Sequence, residues 1–258
     1  MVRRCDLLIE SGSTKRYLND YKSHYIADAE AIVDPAHLNP HWRASELRRI
    51  QFLLRKLELK SGYKVLDVGC GSGWLSHQAL KYNVNIVPID IGLSGVKSAR
   101  DRYPHVGHFH VGDLYELPFL DAVFDSLVLS EVLEHIENVF DALKESSRVI
   151  KEGGHLMISV PYRENIIQHL CVHCNQLTPG NAHLHSFDSE TLVKTCKEAG
   201  LVVDKIYFIG NKFLETIGFP LFSVRWPHRV WSGIDEMASK ILHKPSFLAV
   251  RARKIDCD

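Results

Sequence analysis

The chain has 258 residues, of which 45% are hydrophobic and 24% are charged, and its 31 basic residues balance its 31 acidic ones. This composition is typical of a globular protein and disfavours a broad nucleic-acid-binding surface. No apolar run reaches the roughly 18 residues that span a bilayer, and the first residues lack the apolar core of a secretory signal. We therefore expect a soluble, cytoplasmic protein whose six cysteines are free thiols.

The first clear element is an amphipathic helix between residues 40 and 60. Its apolar residues recur at helical spacing, at Leu47, Ile50, Leu53, Leu54 and Leu57. Its basic residues fall on the other side, at Arg48, Arg49, Arg55 and Lys56. The pattern predicts a helix that lies on the core with its basic side facing away from it.

From residue 64 onward, short apolar runs alternate with helical patterns. The predicted strands are "KVLDVG", "NIVPID", "HFHVGD", "FDSLVLSE" and "GHLMISVP", followed by a helix in "SFDSETLVKTCKEAGL" and by two strands, "LVVDKIYFIG" and "SFLAVRARK". Strands separated by helices indicate βαβ units, and therefore an α/β fold with a mostly parallel sheet and helices on both faces.

Two connections are too long to be plain loops, at residues 162–186 and 211–243. We expect one domain over residues 1–258, with a helical cap at 1–60 and a ligand-binding core at 61–161. In open α/β sheets the ligand lies beyond the carboxyl ends of the strands. The two insertions would therefore form the substrate side.

The stretch "VLDVGCGSG" is a strand that runs into a tight turn containing Gly69, Gly71 and Gly73. Glycines permit positive φ and let a ligand approach the main chain. The spacing matches neither the dinucleotide fingerprint nor the phosphate-binding loop. Asp67 beside the turn would repel a pyrophosphate but attract an ammonium or sulfonium group. The turn therefore predicts a nucleoside ligand with a positively charged amino-acid tail.

Polar residues at later strand ends fit the same ligand. Asp90 ends the second strand, where a carboxylate can accept hydrogen bonds from ribose hydroxyls. Asp113 ends the third strand and could meet an exocyclic amine, while Ile91 and Leu114 could sandwich the base. The fourth strand ends near the expected position of a transferred group, with Ser130, Glu131, Glu134 and His135.

These segments, "VLDVGCGSG", "PID", "GDLYELPF" and "FDSLVLSEVLEHI", resemble in this order the motifs of class I S-adenosylmethionine-dependent methyltransferases. The resemblance covers roughly residues 45–210, and its finer likeness is to the branch of ubiquinone- and menaquinone-biosynthesis methyltransferases. It implies a Rossmann-like seven-stranded sheet with a reversed terminal β-hairpin and S-adenosylmethionine as cofactor. It also implies that Asp67 and the three glycines surround the methionine portion, that Asp90 binds ribose and that Asp113 binds adenine.

The expected function is in-line methyl transfer to a small-molecule or lipid-like acceptor. An "NPPY"-type motif is missing after the fourth strand, where "LSEVLE" stands, which disfavours DNA methylation. If the acceptor is a hydroxyl, His135, His183 or His185 could take its proton. Two alternatives stay open: a methyltransferase acting on protein or RNA, and a non-catalytic nucleoside-binding partner protein.

The stretch "CVHCNQLTPGNAHLHSF" allows a structural zinc site formed by Cys171, Cys174, His183 and His185. The alternative is a segment without metal, in which one histidine faces the pocket.

The second insertion contains the apolar and aromatic stretch "FLETIGFPLFSVRWPHRVW", interrupted by Arg225 and Arg229. It predicts either a lid helix packed on the sheet or a contact surface for an apolar substrate or a membrane.

Overall fold

The structure is a computed structural model, and it describes residues 20–31, 37–172 and 175–254. At its centre lies a seven-stranded sheet. The sheet strands are β1 Lys64–Val68, β2 Asn85–Asp90, β3 His110–Val111, β4 Phe124–Ser130, β5 Ile150–Pro161, β8 Leu201–Asn211 and β9 Pro245–Lys254. A separate two-stranded hairpin consists of β6 Gln168–Leu170 and β7 Leu177–Pro179.

Helices flank this sheet along the described chain. They are α1 Tyr21–Glu30, α2 Pro40–Lys56, α3 Trp74–Ala79, α4 Leu93–Arg102, α5 Val139–Val149, α6 Ser189–Glu198, α7 Lys212–Thr216, α8 Phe219–Ser223 and α9 His228–Leu242. The helix predicted in "SFDSETLVKTCKEAGL" is α6, and Asp188 caps its amino terminus, because Asp188 Oδ1 accepts a hydrogen bond of 2.9 Å from the Thr191 N–H.

The strand order is β3-β2-β1-β4-β5-β9-β8. Strands β1 to β5 pair in parallel, whereas β9 is antiparallel to both β5 and β8. The Rossmann-like sheet and its reversed terminal hairpin are therefore confirmed. Strand order reverses between β1 and β4, and a crevice opens at the carboxyl ends of the strands there.

The central strands are apolar on both faces because helices cover both. In β1, Leu66 belongs to one hydrophobic core and Val65 to the other. In β4, Leu127 likewise belongs to the first core and Val128 to the second. Side chains alternate across a strand, so neighbouring residues enter opposite cores. The strand ends are thereby held rigidly at one edge of the sheet.

Helix α2 differs from its prediction. Arg48 and Arg49, expected on the side facing away from the core, are only 3% and 4% exposed. Arg48 Nη2 donates to the backbone carbonyls of Ser223 and, at 3.0 Å, Trp226. The prediction was wrong for these two arginines, because the segment that contains α8 covers Arg48 and the ends of β4 and β5 cover Arg49. Arg55 is exposed as expected.

The two insertions differ in structure. The first carries the β6–β7 hairpin, and the second forms α7, α8 and α9. Trp231 of α9 is buried in the core, and Asp235 Oδ2 accepts a 2.8 Å hydrogen bond from the Gly210 N–H of β8. A helix of this insertion therefore packs on the sheet, as one of the two expectations had it. None of the helices in the described ranges has the length and apolar character needed to cross a membrane.

Candidate functional site

A cavity of about 550 Å³ opens at the carboxyl ends of β1, β2 and β4, under α1 and beside α2. Nine of the ten residues predicted to bind the cofactor line it. They are Asp67, Gly69, Gly71, Asp90, Ile91, Asp113, Leu114, Ser130 and Glu131. The tenth, Gly73, lies at the amino-terminal cap of α3.

The glycine turn brings main chain to the cavity surface. Gly69 has φ +71°, and a Cβ atom there would lie 2.4 Å from Val132 Cγ2. Gly73 has φ +74°, and its Cβ would lie 2.9 Å from the Phe109 ring. Both positions therefore require glycine, for backbone conformation and for space. The turn is also tied to β2, because the N–H groups of Gly69 and Cys70 donate to the Ile89 carbonyl at 2.9 and 3.1 Å.

Asp67 lies at the bottom of the cavity and is 2% exposed. Its Oδ2 accepts a hydrogen bond of 2.6 Å from the Ser76 hydroxyl of α3. Burial raises the pKa of the Asp67 carboxyl to about 7, since desolvation disfavours the charged form. A cation beside this carboxyl would favour ionisation and bind strongly.

Asp90 is held by main-chain donors on both oxygens. Oδ2 accepts from the Gly71 N–H and Oδ1 from the Gly92 N–H, each at 2.8 Å. Burial raises the pKa of Asp90, while these donors oppose the rise. Each carboxylate oxygen can accept a further hydrogen bond. The side chain is therefore fixed in one orientation and keeps capacity for ligand hydroxyls.

Asp113 is covered by α1. Its Oδ2 accepts from the Tyr21 hydroxyl at 3.0 Å and lies 3.3 Å from Lys22 Nζ. Its Oδ1 accepts from the Tyr115 N–H at 3.0 Å. Helix α1 thus closes the cavity at the position predicted for the base.

Arg49 of α2 crosses from the helix to the ends of β4 and β5. Its Nη1 donates to the hydroxyls of Ser130 and Ser159 at 2.8 and 2.7 Å and lies 3.1 Å from Glu131 Oε1. Its Nη2 pairs with Glu46. Burial alone would lower the pKa of Arg49, but the two carboxylates outweigh it and keep the guanidinium charged.

Beside this network, three potential ligating side chains converge at the cavity wall. Atoms of Glu134, His135 and His183 lie within 4.8 Å of one another. His135 lines the cavity, and its ring centroid lies 4.6 Å from that of His183. The carbonyl of Glu134 accepts from the N–H groups of Leu184 and His185 at 2.6 and 3.2 Å. These bonds hold the first insertion against the end of β4.

The predicted Cys/His zinc site is not supported. His183 Nδ1 pairs with Glu164, and His185 Nε2 lies 2.9 Å from the Ile136 carbonyl oxygen. Among the described residues, Cys171 forms no three-ligand group with these histidines. Cys174 lies outside the described residues. The spacing of the cysteines and histidines predicted this zinc site wrongly, because both imidazoles contact residues that are distant in sequence.

Several cavity residues were not predicted as site residues. They are Tyr25, Asp28, Glu46 and Arg49. The sequence does contain a pattern that predicts helix α1. Asp20 is a typical N-cap residue, and Tyr21, Tyr25 and Asp28 recur at helical spacing. No local signal marks Arg49, because its partners are up to 110 residues away.

Comparisons with known proteins find methyltransferases among the proteins that are similar to this chain. Residues 66–158 match the family model described as a methyltransferase domain. Methyltransferase GfsG of Streptomyces halstedii is 32% identical over 135 residues, which are 49% of this chain and 47% of that protein. A demethylmenaquinone methyltransferase of Streptomyces griseus is 33% identical over 102 residues, 40% of this chain and 44% of that protein.

A longer match is to an uncharacterised protein of Methanocaldococcus jannaschii, MJ0638. It is 33% identical over 209 residues, 80% of this chain and 84% of that protein. The crystal structure of an S-adenosylmethionine-dependent methyltransferase from Mesorhizobium loti aligns with a TM-score of 0.58 and 17% identity, over 80% of this chain and 98% of that one. By contrast, the matches to the two named Streptomyces enzymes span a little under half of those proteins' length.

Proposed function

Because the chain belongs to the S-adenosylmethionine-dependent methyltransferase family, we propose that it transfers a methyl group from S-adenosylmethionine to a small-molecule or lipid-like acceptor. One observation carries the proposal. Three carboxylates at successive strand ends, those of Asp67, Asp90 and Asp113, line one cavity together with a glycine turn. A nucleoside with a cationic amino-acid tail matches this arrangement in charge and in size.

The residues would hold S-adenosylmethionine in a defined order. Asp67 and the glycine turn would bind its amino-acid portion, Asp90 would accept the ribose hydroxyls, and Asp113 would accept the exocyclic amine of adenine. Ile91 and Leu114 would pack on the faces of the base. The bound cofactor supplies an electrophilic methyl group on a sulfonium.

The chain's own contribution is positioning. Alignment of two reactants in a water-poor pocket can lower a barrier by about 7 to 11 kcal/mol. Arg49 fixes Ser130 and Glu131 at the end of β4 through its contacts with both residues. The acceptor would therefore meet a rigid wall, and in-line displacement would need no strong base.

An apolar acceptor is favoured by the second insertion. Large apolar side chains remain exposed in α7, α8 and α9 and at the end of α7, at Phe213, Ile217, Phe222, Met237 and Ile241. Exposed apolar patches of this kind commonly mark contact surfaces. Arg225 and Arg229 lie in the same segment, and both are exposed. The surface would suit a lipid-like acceptor or a peripheral contact with an anionic membrane.

Methyl transfer to a panel of acceptors tests the proposal. The protein is incubated with methyl-labelled S-adenosylmethionine and with hydroxylated aromatic and isoprenoid-bearing compounds, offered in buffer and in anionic vesicles. We expect S-adenosylhomocysteine to form with an apolar acceptor, and faster when the acceptor is in vesicles. Asp90→Ala should reduce turnover about a hundredfold, while Asp101→Ala, on the exposed side of α4, should not.

Two results would contradict the proposal. Label that appears in added RNA or protein instead of the small molecules would favour the macromolecular alternative. Cofactor binding without turnover of any acceptor would favour a non-catalytic nucleoside-binding protein.

A further inference from the structure

We propose that Glu134, His135 and His183 form a binding site for a divalent transition-metal ion at the wall of the cofactor cavity. This trio differs from the zinc site expected from the sequence, since it includes no cysteine and draws two ligands from the end of β4. It shares only His183 with that earlier set.

The first support is an unpartnered buried carboxylate. Glu134 is 1% exposed, and neither of its carboxylate oxygens accepts a hydrogen bond from the described residues. An ionised buried carboxylate without a partner costs several kcal/mol. His135 Nε2 lies 4.0 Å from Glu134 Oε1, too far for a hydrogen bond and suitable for an ion placed between them.

The second support is the orientation of the imidazoles. His183 Nδ1 pairs with Glu164 Oε2, whereas His135 Nδ1 lies 3.0 Å from Asp28 Oδ2 without the geometry of a hydrogen bond. Metal-bound histidines commonly donate one ring N–H to a carboxylate and bind the ion through the other nitrogen. In His183, Nε2 is therefore the nitrogen left for the ion, and in His135, Nε2 is the nitrogen that lies 4.0 Å from Glu134 Oε1.

The third support is distance. The three ligand atoms lie within 4.8 Å of one another. Ligands about 2.1 Å from a shared ion are roughly 3.4 Å apart in tetrahedral geometry, so small side-chain rotations would complete the site. The hydrogen bonds from Leu184 and His185 to the Glu134 carbonyl already bring the two segments together.

The donor set indicates the class of ion. Two imidazoles and one carboxylate suit Zn²⁺, Fe²⁺, Co²⁺ or Ni²⁺ better than Mg²⁺ or Ca²⁺, which prefer oxygen ligands. Three protein ligands also leave positions open for water or substrate. Because His135 lines the cavity, the ion could bind an acceptor oxygen or nitrogen. Binding of the acceptor by the ion rests on the proposed function, whereas binding of the ion by the protein does not.

Titration of chelator-treated full-length protein with Co²⁺ tests the site, because cobalt absorption reports its ligands. We expect saturable, stoichiometric binding with d–d bands and no sulfur-to-cobalt charge-transfer band. Glu134→Gln and His183→Ala should weaken binding more than tenfold. Glu164→Gln should weaken it about tenfold by releasing the His183 imidazole.

Two matched controls separate this site from other ligands in the same insertion. His169→Ala removes an exposed histidine from the β6–β7 hairpin, and Cys171→Ser removes a thiol; both should bind Co²⁺ like the wild type. Glu134→Gln should fold, because it replaces an unpartnered buried carboxyl group with a neutral side chain of nearly the same shape. Its melting temperature should be insensitive to Co²⁺, while that of the wild type should rise.

The proposal is overturned if the wild type binds no Co²⁺ or if Glu134→Gln binds it equally well. A charge-transfer band that disappears in Cys171→Ser would place the ion at the cysteines and would also overturn it. S-adenosylhomocysteine binding is measured in parallel by calorimetry. Its absence in the wild type would count against the proposed function and leave the Co²⁺ result intact.

Discussion

Asp67 shows how burial can turn an ordinary carboxyl into a pH-sensitive ligand contact. Its pKa is raised to about 7 by desolvation in the absence of a ligand. A cationic ligand stabilises the ionised form and would lower this pKa. Below pH 7 the carboxyl must lose a proton before it can pair with the cation, and above pH 7 it is already ionised.

We therefore predict that S-adenosylmethionine affinity falls as pH falls below about 7, approaching tenfold per pH unit. Dissociation constants measured by calorimetry between about pH 5.5 and 8.5 would check this prediction. Asp67→Asn is the matched control, because it keeps the shape and retains any titration of the ligand itself. Equal pH profiles for the two proteins would contradict the role given to Asp67.

At the scale of secondary-structure elements, α2 is joined to the sheet through a charged network. Arg49 joins Glu46 of its own helix to Glu131 and to the ends of β4 and β5. Glu131 adopts φ +56°, a left-handed conformation that is costly for a non-glycine residue. The network therefore fixes the wall of the cavity where the transferred group is expected.

Removal of the guanidinium should destabilise this junction. We predict that Arg49→Met lowers the free energy of unfolding by about 3 kcal/mol, because two partly buried carboxylates lose their counter-charge. Arg49→Lys should cost less, since it keeps the charge but loses the forked geometry. Urea denaturation measures both variants. A loss below about 1 kcal/mol for Arg49→Met would show that the network contributes little to stability.

The same elements show what the sequence could predict. The glycine turn and the acids at strand ends are local patterns attached to predicted strands, and all of them except Gly73 and Glu134 line the cavity. Arg49 could not be placed, because its burial depends on Glu131 and Ser159 in distant strands. The cysteine and histidine spacing suggested that four ligands of one segment share a metal, but His185 contacts the Ile136 carbonyl and His183 lies beside Glu134 and His135 instead.

In the whole molecule, the order of the strands determines where the cavity lies. The reversal between β1 and β4 opens a crevice, and α1 and α2 enclose it from the amino-terminal side. Several of the exposed apolar residues lie in the second insertion, among them Phe213, Phe222 and Ile241. We propose that the strand ends form the cofactor pocket and that the insertions form the side that binds the acceptor.

Calorimetric titration with S-adenosylmethionine and S-adenosylhomocysteine tests the central claim most directly. We predict micromolar binding of both ligands to the wild type. Binding should weaken about a hundredfold in Asp90→Ala, because in the proposed complex two ribose hydroxyls would lose a charged acceptor. Asp101→Ala should bind like the wild type. Absence of binding to the folded wild type, or equal affinities in Asp90→Ala and the wild type, would contradict the assignment of this cavity.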